Sequence, residues 1–300
     1  MNTGLFRPAS VAEALALLAR LPEARIIAGG ASLVAMINAR LADPAALVSL
    51  ARIEELQQIT ESPGGGLRIG AMARHRDLAA ETRFSGTLAV VQMAAAQIAN
   101  ATVRNMGTIG GAVAHADPGL DYPPALVAAG AMIEIAAAGG RRQMPAGDFF
   151  VDWYATALQP GEMVAAVHLP AARPGVGLYH KFARVSGDYA TVSVALTMVR
   201  DGVRDGVHDG VRDGVRDGAA IVTRAAIGGC GPTPLMITEA NRLLSGDPTA
   251  QDLRRAGELL QAAADPVDDV RGSAEYRRML IPRMLARAFD EARVRAAASP

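Results

Sequence analysis

The sequence predicts an α+β fold, and three observations carry that reading. Short β-type runs and amphipathic stretches alternate through the first half, so that part mixes sheet and helix. From Tyr179 onward strands come first and helices follow in one segregated block, the order of an α+β domain with an antiparallel sheet. The Pro-rich stretch Pro170 to Gly177 separates the two textures, and Pro63-Gly64-Gly65-Gly66 forms a hinge within the first. These breaks divide the chain into regions 1–62, 63–172 and 178–297.

Ser10 ahead of Val11, Ala14, Leu15, Leu17 and Leu18 reads as a capped amphipathic helix ending near Leu21-Pro22. Arg25 to Ala28 is a short strand broken by Gly29-Gly30, and Ser32 to Leu41 is helix-like. Ala46 to Leu50 is a second strand, Ile53 to Ile59 turns into a third, and Leu67 to Ile69 follows the hinge. Ala89 to Ile98 is apolar enough for a buried helix, and Pro123 to Gly130 is a short one. Met132–Ala136, Arg141–Met144 and Met163–Leu169 read as antiparallel strands. Beyond the boundary, strands are expected at Tyr179–Arg184, Thr191–Arg200 and Ala219–Ile227, then helices at Leu235–Leu244, Pro248–Ala264 and Ser273–Ala297.

Composition removes several function classes. The 300 residues carry 30 basic and 30 acidic side chains, and this balance argues against a dedicated nucleic-acid surface. Half of them are hydrophobic, so wholesale disorder is excluded. One cysteine, Cys230, rules out a disulfide framework, a Cys-ligated zinc site and an iron–sulfur cluster held by this chain. The five histidines show no metal-ligand spacing. Without a signal-type N-terminus or an apolar run of about 18 residues, the chain is expected to be cytoplasmic. A four-residue Asp-Gly-Val-Arg repeat over 201–218 is read as an expanded hairpin tip, since Asp-Gly favours tight hairpin turns and its charges cancel.

Two glycine pairs are candidates for chemistry. Ile26-Ile27-Ala28-Gly29-Gly30-Ala31-Ser32-Leu33 follows a strand and opens a helix; Gly107-Thr108-Ile109-Gly110-Gly111-Ala112 precedes an apolar segment. Backbone amides bared by glycine can cradle phosphate oxygens. Neither loop carries the Gly-Lys-Ser/Thr ending of ATP-type loops or the spacing of a Rossmann turn. Each pair alone reads better as a tight turn; two of them, each beside a hydroxyl, suggest a diphosphate held between loops. Asp121, ahead of Tyr122-Pro123-Pro124, is either a helix cap or an acceptor for a ligand's polar groups, and His115 has no nucleophile beside it. Lys181 is the single lysine among 29 arginines. It marks either a place where a planar guanidinium would not fit or a chance survivor on the surface. Tyr189 sits in a Gly-Asp-Tyr corner, as core filler or as a lid on a flat ligand.

Taken in order and spacing, Ala28-Gly29-Gly30-Ala31-Ser32, Arg104-Asn105-Met106-Gly107-Thr108-Ile109-Gly110-Gly111, His115-Ala116-Asp117-Pro118 and Lys181-Phe182-Ala183-Arg184 with Gly187-Asp188-Tyr189 resemble the FAD-binding medium subunit of molybdenum hydroxylases, the family of aerobic carbon monoxide dehydrogenase and xanthine dehydrogenase. The similarity runs from about Arg7 to about Phe289 and includes Gly228-Gly229-Cys230-Gly231-Pro232-Thr233-Pro234. It implies a two-lobed FAD-binding domain of the PCMH (vanillyl-alcohol oxidase-like) type, followed by an α+β C-terminal domain. By resemblance the diphosphate would lie between Ile26, Ile27, Ala28, Gly29, Gly30, Ala31, Ser32 and Leu33 on one side and Thr108, Ile109, Gly110, Gly111 and Ala112 on the other. Asp121 would hold a polar part of the cofactor, Val164 would touch it through the backbone or an apolar face, Lys181 would reach it from the C-terminal domain, and Tyr189 would cover the isoalloxazine. Relatives usually carry Asn where this chain has Ala112, which keeps a backbone contact and loses a side-chain one.

The resemblance further implies an electron-transfer flavoprotein subunit. A large molybdopterin-binding partner would hydroxylate the substrate, and a small [2Fe-2S] partner would relay electrons to this chain's FAD. NAD, oxygen or a quinone would accept them, in a dimer of heterotrimers, and no general base is expected on this chain. The rival readings are a stand-alone FAD-dependent oxidoreductase and a non-catalytic assembly protein that has lost its flavin.

Overall fold

The computed structural model describes residues 4–201 and 220–298 of the chain. The Asp-Gly-Val-Arg repeat therefore lies outside the described residues, apart from Asp201 at the end of a strand.

The first region is a small parallel sheet. Gly4–Phe6 (β1) and Ala24–Ile27 (β2) both pair in parallel with Ala46–Ser49 (β3). Helix Val11–Arg20 (α1) begins where the sequence indicates, because Ser10 caps it by accepting from the Glu13 amide. Its Val11, Ala14, Leu15 and Leu18 meet Val48, Leu50, Ile53 and Leu56 in one apolar cluster. The expected Ser32–Leu41 helix is shorter, Leu33–Asn38 (α2), and none of its residues is buried.

The second region is an antiparallel five-stranded sheet made of Ile59–Glu61 (β4), Leu67–Gly70 (β5), Met132–Ala137 (β6), Gly140–Pro145 (β7) and Met163–Leu169. Because β4 pairs with β5, Pro63–Gly66 is the tight turn of a hairpin inside this sheet, not the expected hinge after residue 62. A hairpin, Phe150–Asp152 (β8) and Ala155–Thr156 (β9), precedes Met163–Leu169, which is β10. β10 lies at the sheet's centre between β5 and β6. Short helices cover the sheet: His75–Ala79 (α3), Ala89–Gln97 (α4), Ala101–Met106 (α5), Ile109–His115 (α6), Tyr122–Ala128 (α7) and Ala146–Phe149 (α8). The expected interruption at Thr108–Gly111 is instead a helix start, with Thr108 capping α6.

Across this sheet Glu134 on β6 faces Arg68 at 3.1 Å, Arg141 at 2.7 Å and His168 at 2.6 Å. Burial by itself would raise this carboxyl, but hydrogen bonds from Arg68, His168 and Arg141 outweigh it and hold the group at about 2. A carboxyl depressed in the folded state stabilises above its ordinary titration range, and that contribution is lost as pH falls from about 4.5 toward 2. Glu134→Gln is expected to lower the thermal midpoint at neutral pH and to converge with the wild type in acid. Parallel midpoint curves through that window would remove Glu134 from the acid response.

The C-terminal sheet is antiparallel: Gly175–Phe182 (β11), Val192–Asp201 (β12) and Ala220–Gly228 (β13), with β12 central. Strand alternation decides how it joins the rest. Leu178, Val194, Leu196, Ala225 and Ile227 point into a core shared with Ala250–Ala263 (α10) and Ala274–Ala298 (α11), which follow Thr238–Leu243 (α9). Tyr179, Ala195 and Ala226 point the other way, into the core of the second region. The small alanines on that face let α7 lie close, and its last carbonyls are met by Arg224 (3.1 Å to Val127 O) and Thr197 (3.2 Å to Ala128 O). No helix among the described residues is long and apolar enough to cross a membrane, and these residues hold no metal-ligand cluster.

Candidate functional site

The first glycine loop leaves the C-terminal end of β2 and enters α2. Ile26 is half-buried against the first region's core, Ile27 is half-buried on the other face toward Gly30, and the loop from Ala28 through Leu33 stays half-exposed. Gly29 is pressed against the other loop: a Cβ there would collide with the Met106 carbonyl and lie 2.9 Å from Gly107 Cα. Gly30 has φ of +76°, which an L side chain resists. Among the described residues the amides of Gly29, Gly30, Ala31, Ser32 and Leu33 have no protein acceptor. Ser32 flanks α2 with its hydroxyl making no cap bond.

The second loop is built differently. Ile109 N donates to Ala73 O (3.0 Å), Gly110 N to Ala71 O (2.9 Å), Gly111 N to Thr108 Oγ1 (3.1 Å) and Ala112 N to Thr108 O (3.0 Å). The amides that open α6 are thus already committed, and this loop serves as a fixed wall. Gly111 lies next to the first loop, where a Cβ would make ordinary contact with the Ala28 Cβ at 3.5 Å. Thr108, Ile109 and Gly110 are buried, Ala112 is half-buried, and Val164 on β10 is 4% exposed in the same core as Ile109.

Asp121 does not cap α7; it has helical backbone angles and makes no cap bond. Its carboxylate instead accepts from the Tyr179 hydroxyl at 2.7 Å and pairs with Lys181 Nζ at 3.0 Å. The Lys181 ammonium also donates to Gln97 O at 2.7 Å, and both charged side chains are about 5% exposed. Both bonds come from one compact ammonium at the end of an unbranched chain, in a buried space that a planar, bulkier guanidinium would have to share with three nitrogens. Burial pushes the Asp121 carboxyl up, while the Lys181 charge and the Tyr179 and Lys181 hydrogen bonds pull it back.

A buried relay ties this pair to the loops. Tyr122, next in sequence to Asp121, lies 3.2 Å through its hydroxyl from His75 Nδ1, and the His75 ring packs on Gly107. Burial, helped by the Arg104 charge, lowers the His75 ring to about 4, so it stays neutral.

Tyr189 lies at the mouth of the C-terminal sheet, 36% exposed, with the Arg271 guanidinium 4.8 Å above its ring. Nearby, Tyr154 donates to Asp117 Oδ2 at 3.2 Å and packs against His115 at 5.7 Å between ring centroids. Cys230 is buried, and burial raises its thiol to about 12.

The structure therefore brings the two glycine loops into contact and joins Asp121 to Lys181. Tyr189 stands on a separate rim formed with the loop after α6. His75, Tyr122, Tyr179, Gln97 and Arg271 escaped sequence reasoning, because each is a single residue whose partner lies far along the chain. The unpartnered amides of the first loop, which is seated on the second at Gly29 where a Cβ would strike the Met106 carbonyl, suit the oxygens of an anion such as a dinucleotide diphosphate.

Comparison with known proteins identifies the family. Residues 1–172 match the FAD binding domain in molybdopterin dehydrogenase, and residues 177–292 match the CO dehydrogenase flavoprotein C-terminal domain. The carbon monoxide dehydrogenase medium chain of Afipia carboxidovorans is 36% identical over 295 residues, 97% of this chain and 96% of that one. The xanthine dehydrogenase FAD-binding subunit of Escherichia coli O157:H7 is 27% identical, over 95% of this chain and 94% of its own. Among solved structures, carbon monoxide dehydrogenase from Hydrogenophaga pseudoflava lacking the Mo-pyranopterin moiety superposes with a TM-score of 0.88 at 34% identity, covering 99% of both chains.

Proposed function

Because the chain belongs to the molybdopterin dehydrogenase FAD-binding family, with the CO dehydrogenase flavoprotein domain behind it, we propose that it is the electron-transfer flavoprotein subunit of a molybdenum hydroxylase. In this reading it receives electrons from a small [2Fe-2S] partner, which takes them from a large molybdopterin-binding partner, and passes them to NAD, oxygen or a quinone. The chain's one cysteine, buried and held as a thiol, supports placing the clusters on another subunit. The observation that carries the proposal is the set of free amides at Gly29–Leu33 against the wall of the second loop.

FAD, when bound, supplies the redox centre. The chain's own residues hold and shape the pocket. The first-loop amides would donate to the diphosphate, and the contact of Ala28 with Gly111 holds that loop in place. Lys181, neutralised by Asp121 and fixed on Gln97 O, presents the polar end of a buried pair. Tyr189 covers the flat ring system. Asp121 and Val164 line the wall between them.

The test is selective reconstitution. Full-length chain stripped of flavin is expected to take up one FAD and to bind FMN, which has a single phosphate, at least tenfold more weakly. Equal affinity for the two would dissociate the loops from diphosphate recognition. Native co-purification with a molybdenum-containing large chain and an iron-containing small chain, at the mass of a dimer of heterotrimers, tests the assembly. Turnover of an organic donor by the isolated chain would favour a stand-alone oxidoreductase instead.

A further inference from the structure

We infer that Arg271 is the positioning residue of Tyr189: its guanidinium clamps one face of the phenol ring and leaves the opposite face to the flat ring system of the bound flavin. The inference rests on the flavin reading above and adds a residue from the C-terminal domain to it. The guanidinium carbon lies 4.8 Å from the Tyr189 ring centroid, a cation–π distance. The ring's edge backs onto Gly119, where a Cβ would come within 3.2 Å of Tyr189 Cδ1, and Ala190 N donates to Gly119 O at 3.2 Å. With one face under Arg271 and an edge against Gly119, the 36% of the residue that remains exposed is available to a ligand.

Arg271 is itself held in a frame. Its Nε lies 3.5 Å from Asp188 Oδ1, the same oxygen that accepts from the Tyr189 amide at 2.8 Å. Its Nη1 pairs with Asp269 Oδ2 at 3.2 Å, and Asp269 is shared with Arg277. Arg277 is 4% exposed and donates to Thr191 O at 2.6 Å and Gly229 O at 2.9 Å. Arg184 closes the frame by pairing with Asp188 and donating to Val270 O at 3.3 Å. The corner that carries Tyr189 is thus tied at both ends to the segment 269–271, some eighty residues further along the chain. A phenol on a surface loop rotates freely; this one is stacked and anchored, which removes the ordering cost of closing it over a ligand.

The test is a double-mutant cycle on the full-length chain, reading FAD dissociation constant and bound-flavin fluorescence, because a tyrosine stacked on the isoalloxazine quenches its emission. Arg271→Gln is expected to weaken FAD binding by about fivefold, the scale of one partly desolvated cation–π contact, and to raise the emission of bound flavin. In a Tyr189→Leu background the same substitution is expected to change neither by more than about twofold, because the coupling partner is gone. Equal effects in both backgrounds, or no effect in the wild-type background, would overturn the assignment. If Arg271→Gln does not fold, Arg271→Lys, which keeps the charge and loses the planar fork, carries the same cycle. A wild-type chain that takes up no FAD would instead sink the flavin reading, so the two failures are distinguishable.

Discussion

Gly29→Ala is expected to yield a folded protein that no longer retains flavin. The added methyl would fall on the Met106 carbonyl. That carbonyl cannot retreat, because the next residue, Gly107, donates its amide to Val103 O at 2.7 Å and accepts from His75 N at 3.1 Å. Relief must come from separating the loops, which pulls Ala28 off Gly111 and displaces the first-loop amides. Overpacking against rigid backbone costs about 1–3 kcal/mol or more, and here the cost falls on the geometry that binds. An affinity loss on the order of 100-fold or greater is expected, read as FAD dissociation constant and as the flavin-to-protein absorbance ratio. All three apolar clusters lie outside the loop, so circular dichroism should keep its wild-type shape. Gly139→Ala, where a Cβ meets nothing within 4 Å, is the control. A Gly29→Ala protein that stays fully yellow would show that the loops do not jointly hold the cofactor.

The second large effect is expected from Lys181→Met. The substitution keeps the length of the side chain and deletes the charge, leaving Asp121 buried with only the Tyr179 hydroxyl as partner. Breaking a buried pair from one side costs about 3–5 kcal/mol, far more than the pair contributes net. Adding Asp121→Asn is expected to recover much of that loss, because no uncompensated charge remains. The pH dependence has a definite sign. Burial already raises the Asp121 carboxyl and the Lys181 charge opposes the rise, so removing Lys181 lifts it further. A carboxyl raised in the folded state contributes stability below its unfolded value that is lost as pH rises through the folded value. The deficit of Lys181→Met relative to wild type should therefore be largest in mildly alkaline solution and shrink toward acid, measured as urea midpoints. A deficit that does not vary with pH would mean the stranded carboxylate is not its cause.

Local signals sufficed for much of the fold. The Ser10 cap acts over a few residues, and chain geometry alone makes it legible; Pro63–Gly66 is equally legible as a break, but only the pairing of β4 with β5 makes it a hairpin turn and not a hinge. Alternation in the C-terminal strands is equally readable, but not that the two faces of their sheet serve two cores, since Ala195 on β12 and Ala226 on β13 look like ordinary strand residues. The helix beginning at Thr108 was missed because its two glycines read as a break; bonds to Ala71 and Ala73 from another segment hold them helical. Asp121 shows the same limit. Its neighbours suggest a cap, and only Lys181 and Tyr179, some sixty residues away, turn it into half of an ion pair.

By itself the sequence determined the α+β class, the longer helices and strands in their order, the two glycine loops, the lone lysine and the family to which these motifs point. The tertiary structure alone decided that only the first loop has amides to offer and that Lys181 is answered by Asp121. It also decided that a guanidinium from the last third of the chain lies over Tyr189. The reason is physical: caps, turns and periodicity are set within a few residues along the backbone. The state of an amide, an ammonium or a phenol is set instead by what packs against it, and those partners arrive from distant parts of the chain.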